Sequence, residues 1–105
     1  MSEPTAHEKK PSFNERTQVT FHGCVQGVGF RYTTLRIAAA YAVTGFVKNL
    51  TDGDVLLVVE GPKDELERMI NNVQTTMKRY LEGNESVGTP ATGEFESFDI
   101  RYEHG

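Results

Sequence analysis

The chain reads as an α+β two-layer sandwich of order β-α-β-β-α-β, a mainly antiparallel sheet with both helices on one face. Three observations lead there. Residues 18–22 and 98–102 alternate with period two, an apolar stripe at helical spacing runs from Leu66 to Leu81, and a turn at residues 51–54 precedes the β-branched run 55–59. A chain of 105 residues suits one domain, which at this size buries roughly two thirds of its unfolded surface.

Residues 1–16 contain one large apolar residue besides Met1, namely Phe13, so they are expected to form a disordered polar tail ahead of a folded domain at 17–105. In the first strand Val19 and Phe21 share one face, Thr20 and His22 the other, and Gly23 ends the strand. After the glycines at 27 and 29 a helix begins near Phe30, with Leu35, Ala38, Ala39 and Ala42 as its apolar face and an end around residues 41–43. Residues 44–50 are extended. Thr51, Asp52, Gly53 and Asp54 supply a tight turn, which makes residues 44–59 a hairpin. Gly61-Pro62 suits a helix start with Asp64 and Glu65 in the first turn; Leu66, Met69, Ile70, Val73, Met77 and Leu81 carry that helix onward. Residues 82–94 are polar and interrupted by Gly and Pro, and read either as a poor fourth strand around 86–90 or as a loop. Phe98, Ile100 and Tyr102 mark the last strand. The order is that of a ferredoxin-like sandwich, whose right-handed crossovers bring the first loop to one end of the sheet, ahead of the first helix.

A net charge of −4 speaks against general nucleic-acid binding, which depends on Lys and Arg neutralising backbone phosphates. No stretch is apolar for the length of a membrane span, and the N-terminus lacks a secretory apolar segment. One cysteine, Cys24, forms no internal disulfide and suits a reducing compartment, so a cytoplasmic protein is expected. Any anion must be captured locally, and Gln26, Gly27, Val28, Gly29, Phe30 and Arg31 offer the means: consecutive amides, two glycines that let them converge, a helix N-terminus, and a guanidinium fork matched to phosphate oxygens. Taken alone, such a motif is equally a plain turn before a helix. Six residues separate Cys24 from Arg31, one more than thiolate phosphatases use, so Cys24 is expected to be a small buried hydrophobe rather than a nucleophile.

The blocks Gly23-Cys24-Val25-Gln26-Gly27-Val28-Gly29-Phe30-Arg31, Gly45-Phe46-Val47-Lys48-Asn49 and Asp52-Gly53-Asp54-Val55, with Glu60-Gly61-Pro62, Thr92-Gly93-Glu94-Phe95 and Phe98-Asp99-Ile100-Arg101-Tyr102, closely resemble the acylphosphatases in the same order. The resemblance implies an enzyme that hydrolyses the carboxyl-phosphate bond of acyl phosphates, releasing inorganic phosphate, without metal or organic cofactor, and working as a monomer. It makes Arg31 the phosphate-binding arginine, Asn49 the residue that holds the attacking water, and residues 26–30 the backbone cradle. The alternative it leaves is a non-catalytic or regulatory module of the same fold that binds a phosphorylated or carbamoylated partner.

Other residues carry blander expectations. His22 should face solvent from its strand, and no two of the three histidines have metal-ligand spacing. Asp52 and Asp54 bracket Gly53 as turn residues. Lys48 should point away from Asn49 across the strand, and Tyr32 offers an aromatic surface at the helix start.

Overall fold

The structure, a computed structural model, describes residues 14–102. Strand β1 (Asn14–Gly23) is followed by helix α1 (Phe30–Ala38), a hairpin of β2 (Thr44–Asn49) and β3 (Val55–Pro62), helix α2 (Lys63–Thr76), and strands β4 (Leu81–Pro90) and β5 (Phe98–Arg101). The five strands form one sheet in the order β4-β1-β3-β2-β5. All neighbouring pairs are antiparallel except β2 with β5. This is the expected ferredoxin-like α+β sandwich with a fifth strand.

Registers Val19↔Leu57 and Val47↔Leu57 place these apolar residues side by side on one face of the sheet. Phe21, Val55 and Val59 join them there, and Phe30 and Ala38 of α1 with Leu66, Met69 and Val73 of α2 close the core from above.

Four expectations about elements change. The first strand starts at Asn14, ahead of the boundary expected between residues 16 and 17, because β3 and β4 extend far enough to offer partners: Asn14 pairs with Pro62, and Glu15 with Gly61 and Pro90. The rest of the expected tail, residues 1–13, lies outside the described residues. Helix α1 buries Phe30, Thr34 and, of the expected face, Ala38, leaving Ala39 and Ala42 exposed, and it stops at Ala38. Helix α2 ends at Thr76. Met77 still fills the core, but a 3-10 turn at Lys78–Tyr80 redirects the chain so that Leu81 opens β4 opposite Gly23. The doubtful segment is a full strand, with Asn84, Ser86 and Gly88 beside Phe21, Val19 and Thr17.

Strands β4 and β5 lie at opposite edges, so residues 91–97 must cross the other three strands. Four strand spacings amount to about 19 Å. Seven extended residues reach about 24 Å, which leaves little slack. The buried carboxylate of Glu60, in central strand β3, grips this segment. Its Oε2 accepts from the Thr92 amide at 3.0 Å and from the Thr92 hydroxyl at 2.9 Å, while Oε1 accepts from the Gly93 amide at 2.9 Å. Arg16 Nε donates to the same Oε2 at 2.7 Å. Burial by itself would raise this carboxyl's pKa, but the two amides, the guanidinium and the hydroxyl outweigh it and lower the pKa from 4.5 to about 2. A depressed carboxyl stabilises the fold above its unfolded value and loses that contribution as pH falls through its folded value. Glu60→Gln should therefore cost about 2 kcal/mol at pH 7, with the gap closing between pH 4.5 and 2. Urea unfolding of both proteins across that range would measure it.

Candidate functional site

The loop after β1 has two glycines in left-handed conformation, Gly27 at φ 80° and Gly29 at φ 78°. A Cβ at either would meet nothing within 4 Å, so the requirement is for backbone angle and not for space. Gly29 is the N-cap of α1, no side chain caps that end, and no acidic residue stands in the first turn. The first amides of α1 and its dipole are thus unopposed by local negative charge. Phe30 fixes the helix start to the sheet by packing on Phe21, ring centroids 5.1 Å apart.

Arg31 follows in the first turn. Its guanidinium carbon lies 4.9 Å from the centre of the Tyr102 ring, and among the described residues it has no carboxylate partner. Tyr102 comes directly after β5, in line with Ile100, which the parallel ladder sets beside Val47. Asn49 ends β2 on the same face as Val47. Its side chain makes no hydrogen bond within the described residues. The turn that follows is held by other groups: Leu50 N donates to Asp54 O at 2.8 Å and Asp54 N to Asp52 Oδ1 at 3.0 Å.

Two adjoining hollows share Arg31, Asn49 and Tyr102. One, of about 170 Å³, adds Gly27, Gly29 and the apolar Val25, Phe30 and Ile100; the other, of about 310 Å³, adds Gln26, Leu50, Thr51 and Arg101. A larger groove of about 420 Å³ between α2 and β4 has no arginine among its described lining residues; Lys63, at the start of α2, stands there with Glu15 and Glu67, and Asp64 and Glu65 occupy the same helix turn, so it offers less to an anion. Arg31, Asn49 and the loop from Gln26 to Phe30 thus meet at one end of the sheet.

Gln26 does something the sequence does not disclose. Its side-chain nitrogen donates to the carbonyls of Leu50 at 2.7 Å and Asp54 at 2.8 Å, tying the glycine loop to the hairpin that carries Asn49. Val28 packs against the core. Cys24 is exposed, contrary to expectation, because it sits beyond the end of β1 and lines neither hollow. His22 is only partly solvent-facing. Its Nδ1 lies 2.9 Å from Asp54 Oδ2 and its Nε2 lies 3.6 Å from Glu85. Tyr32 is exposed at the mouth of the smaller hollow, and Lys48 lies across the strand from Asn49. Sequence reasoning passed over Arg101 and Tyr102 as site residues, although the alternation of residues 98–102 already aligned Tyr102 with the core face. No helix among the described residues is long and apolar enough to cross a membrane, and no cluster of three His, Cys, Asp or Glu is placed to hold a metal.

Comparison with known proteins converges on one family. The family model Acylphosphatase matches residues 17–100. An acylphosphatase from an Arthrobacter species is 37% identical over 111 residues, covering 97% of this chain and 93% of its own length. One from Thermotoga maritima is 38% identical over 85 residues, covering 81% of this chain and 94% of its own length. The crystal structure of acylphosphatase from Bacillus subtilis superposes with a TM-score of 0.76 at 27% identity, over 84% of this chain and 99% of that one.

The Gln26 brace has a measurable worth. Gln26→Leu removes two hydrogen bonds to carbonyls that each keep one other donor, and should cost about 1–2 kcal/mol in denaturant unfolding. Faster amide exchange in residues 26–29 and 50–54 would accompany it.

Proposed function

Because the chain belongs to the acylphosphatase family and is a hydrolase of the carboxyl-phosphate bond of acyl phosphates, we propose that its own loop, Arg31 and Asn49 carry out that hydrolysis. The phosphate lies against the amides of residues 26–30 and the N-terminus of α1, with Arg31 pairing its oxygens through the guanidinium fork. Asn49 accepts from a water and holds it in line with the bond to be broken. The water oxygen attacks phosphorus and the bond between phosphorus and the acyl oxygen breaks. The carboxylate leaves with that electron pair, and a phosphate oxygen takes the water's proton, giving carboxylate and inorganic phosphate.

The observation that carries this reading is that Asn49, whose side chain makes no hydrogen bond among the described residues, faces the same hollows as Arg31 and the uncapped start of α1. A carboxylate is a good leaving group, so the reaction needs positioning and charge stabilisation more than a strong base. A neutral amide orients water without adding a charge that would repel the phosphate. This chemistry calls on no metal or organic cofactor. The lone Cys24 suits the cytoplasm, and a core complete within one chain suits a monomer.

Hydrolysis of benzoyl phosphate in the presence of chelator tests the assignment. The unmodified protein should turn over, and Arg31→Ala and Asn49→Ala should each lose about 100-fold or more in kcat/KM. The Asn49 variant should lose it mainly in kcat and the Arg31 variant in both constants. Unchanged kcat/KM in Asn49→Ala would overturn the water-positioning role.

A further inference from the structure

Beyond the phosphate, the larger hollow holds a second cation. Arg101 ends β5, where the register pairs it with Lys48 on the sheet face opposite Asn49. Its guanidinium carbon lies 3.9 Å from the centre of the Phe46 ring and 5.8 Å from that of Phe95. A guanidinium stacked this closely on a ring keeps its N–H groups, which lie in its own plane, available to an acceptor. No carboxylate among the described residues takes them. Asp99, on the same face of β5, accepts instead from Ser97 Oγ at 2.7 Å. Arg101 nonetheless lines the same 310 Å³ hollow as Arg31 and Asn49, and no Asp or Glu among the described residues lines that hollow.

The two hollows give an acyl group two exits from the phosphate position. Val25, Phe30 and Ile100 line the smaller one and suit an apolar chain. The larger runs past Leu50 and Thr51 to Arg101, a second positive charge on a protein of net charge −4. Resting on the proposed function of Arg31 and Asn49, we infer that Arg101 binds a carboxylate at the far end of the acyl chain. It thereby makes acyl phosphates of dicarboxylic acids favoured substrates. Arg101 is a specificity residue, and a phosphate held by Arg31 leaves it free for that second anion.

Succinyl phosphate and butyryl phosphate test this, since they differ in a terminal carboxylate against a methyl group. The measured quantity is the ratio of their kcat/KM values. The unmodified protein should favour succinyl phosphate, and Arg101→Met should cut the ratio about fivefold, with Arg101→Lys in between. A second reading needs no variant. Added sodium chloride should lower the ratio if Arg101 attracts the carboxylate, whereas simple repulsion from a protein of net charge −4 would make salt raise it. Equal losses on both substrates in Arg101→Met, or a ratio that rises with salt, would overturn the inference while leaving the assignment of Arg31 and Asn49 intact. Failure of the unmodified protein to hydrolyse either substrate would overturn that assignment and this inference together.

Discussion

A carboxylate in the middle of a sheet is an unlikely place to begin a catalytic site, yet the geometry depends on Glu60. The last strand can reach its place beside β2 only if the preceding segment is drawn tightly across the outer face of the sheet, and Glu60 supplies the acceptors that draw it. Arg16 neutralises the charge from the neighbouring strand, and its guanidinium also lies 5.1 Å from the Phe95 ring. Phe95 meets Phe46 edge to face, so the crossing segment is held by charge at its start and by rings near its end. What arrives at the site by this route is Arg101 and Tyr102.

The protein is acidic overall but binds an anion, and the two facts are compatible because the attraction is short-ranged. At physiological ionic strength charges more than about 8 Å apart are largely screened. On the proposed reading, a phosphate responds to the amides of the loop, the start of α1 and Arg31 far more than to the distant carboxylates. Those donors are fixed before any ligand arrives. The left-handed glycines set the loop's course, Phe30 seats the helix, and Gln26 fastens the loop to the opposite hairpin. Preorganisation of this kind spares the binding step the cost of ordering the loop.

Local pattern made most of this legible. The alternation in residues 18–22 and the turn at Gly53 depend on near neighbours in sequence and lie where the pattern puts them; the stripe from Leu66 to Leu81 does so only as far as Thr76, where the helix ends. Strand β4 was obscure because neither of its faces is buried: Ser86 and Gly88 lie toward the open groove, and Asn84 and Val87 are exposed. It exists through backbone pairing with β1, which leaves no mark on side-chain choice. The face of α1 was misjudged for a related reason, since Thr34, a polar residue, takes a core position. At the site, Arg31 and Asn49 stood out as members of recognisable blocks. The brace from Gln26 was hidden because its acceptors lie 24 and 28 residues away. Arg101 was hidden because only the parallel β2–β5 ladder brings it near.

The placement of β5 has a consequence for synthesis. Ribosomes deliver the chain from its N-terminus, so the glycine loop, Arg31 and the hairpin emerge long before the strand that sets Tyr102 against the Arg31 guanidinium. Until residues 91–101 have cleared the exit tunnel, the sheet lacks one edge and the pocket lacks one wall. The order of translation thus keeps the nascent chain from acquiring a finished pocket until nearly all of the sheet has been made.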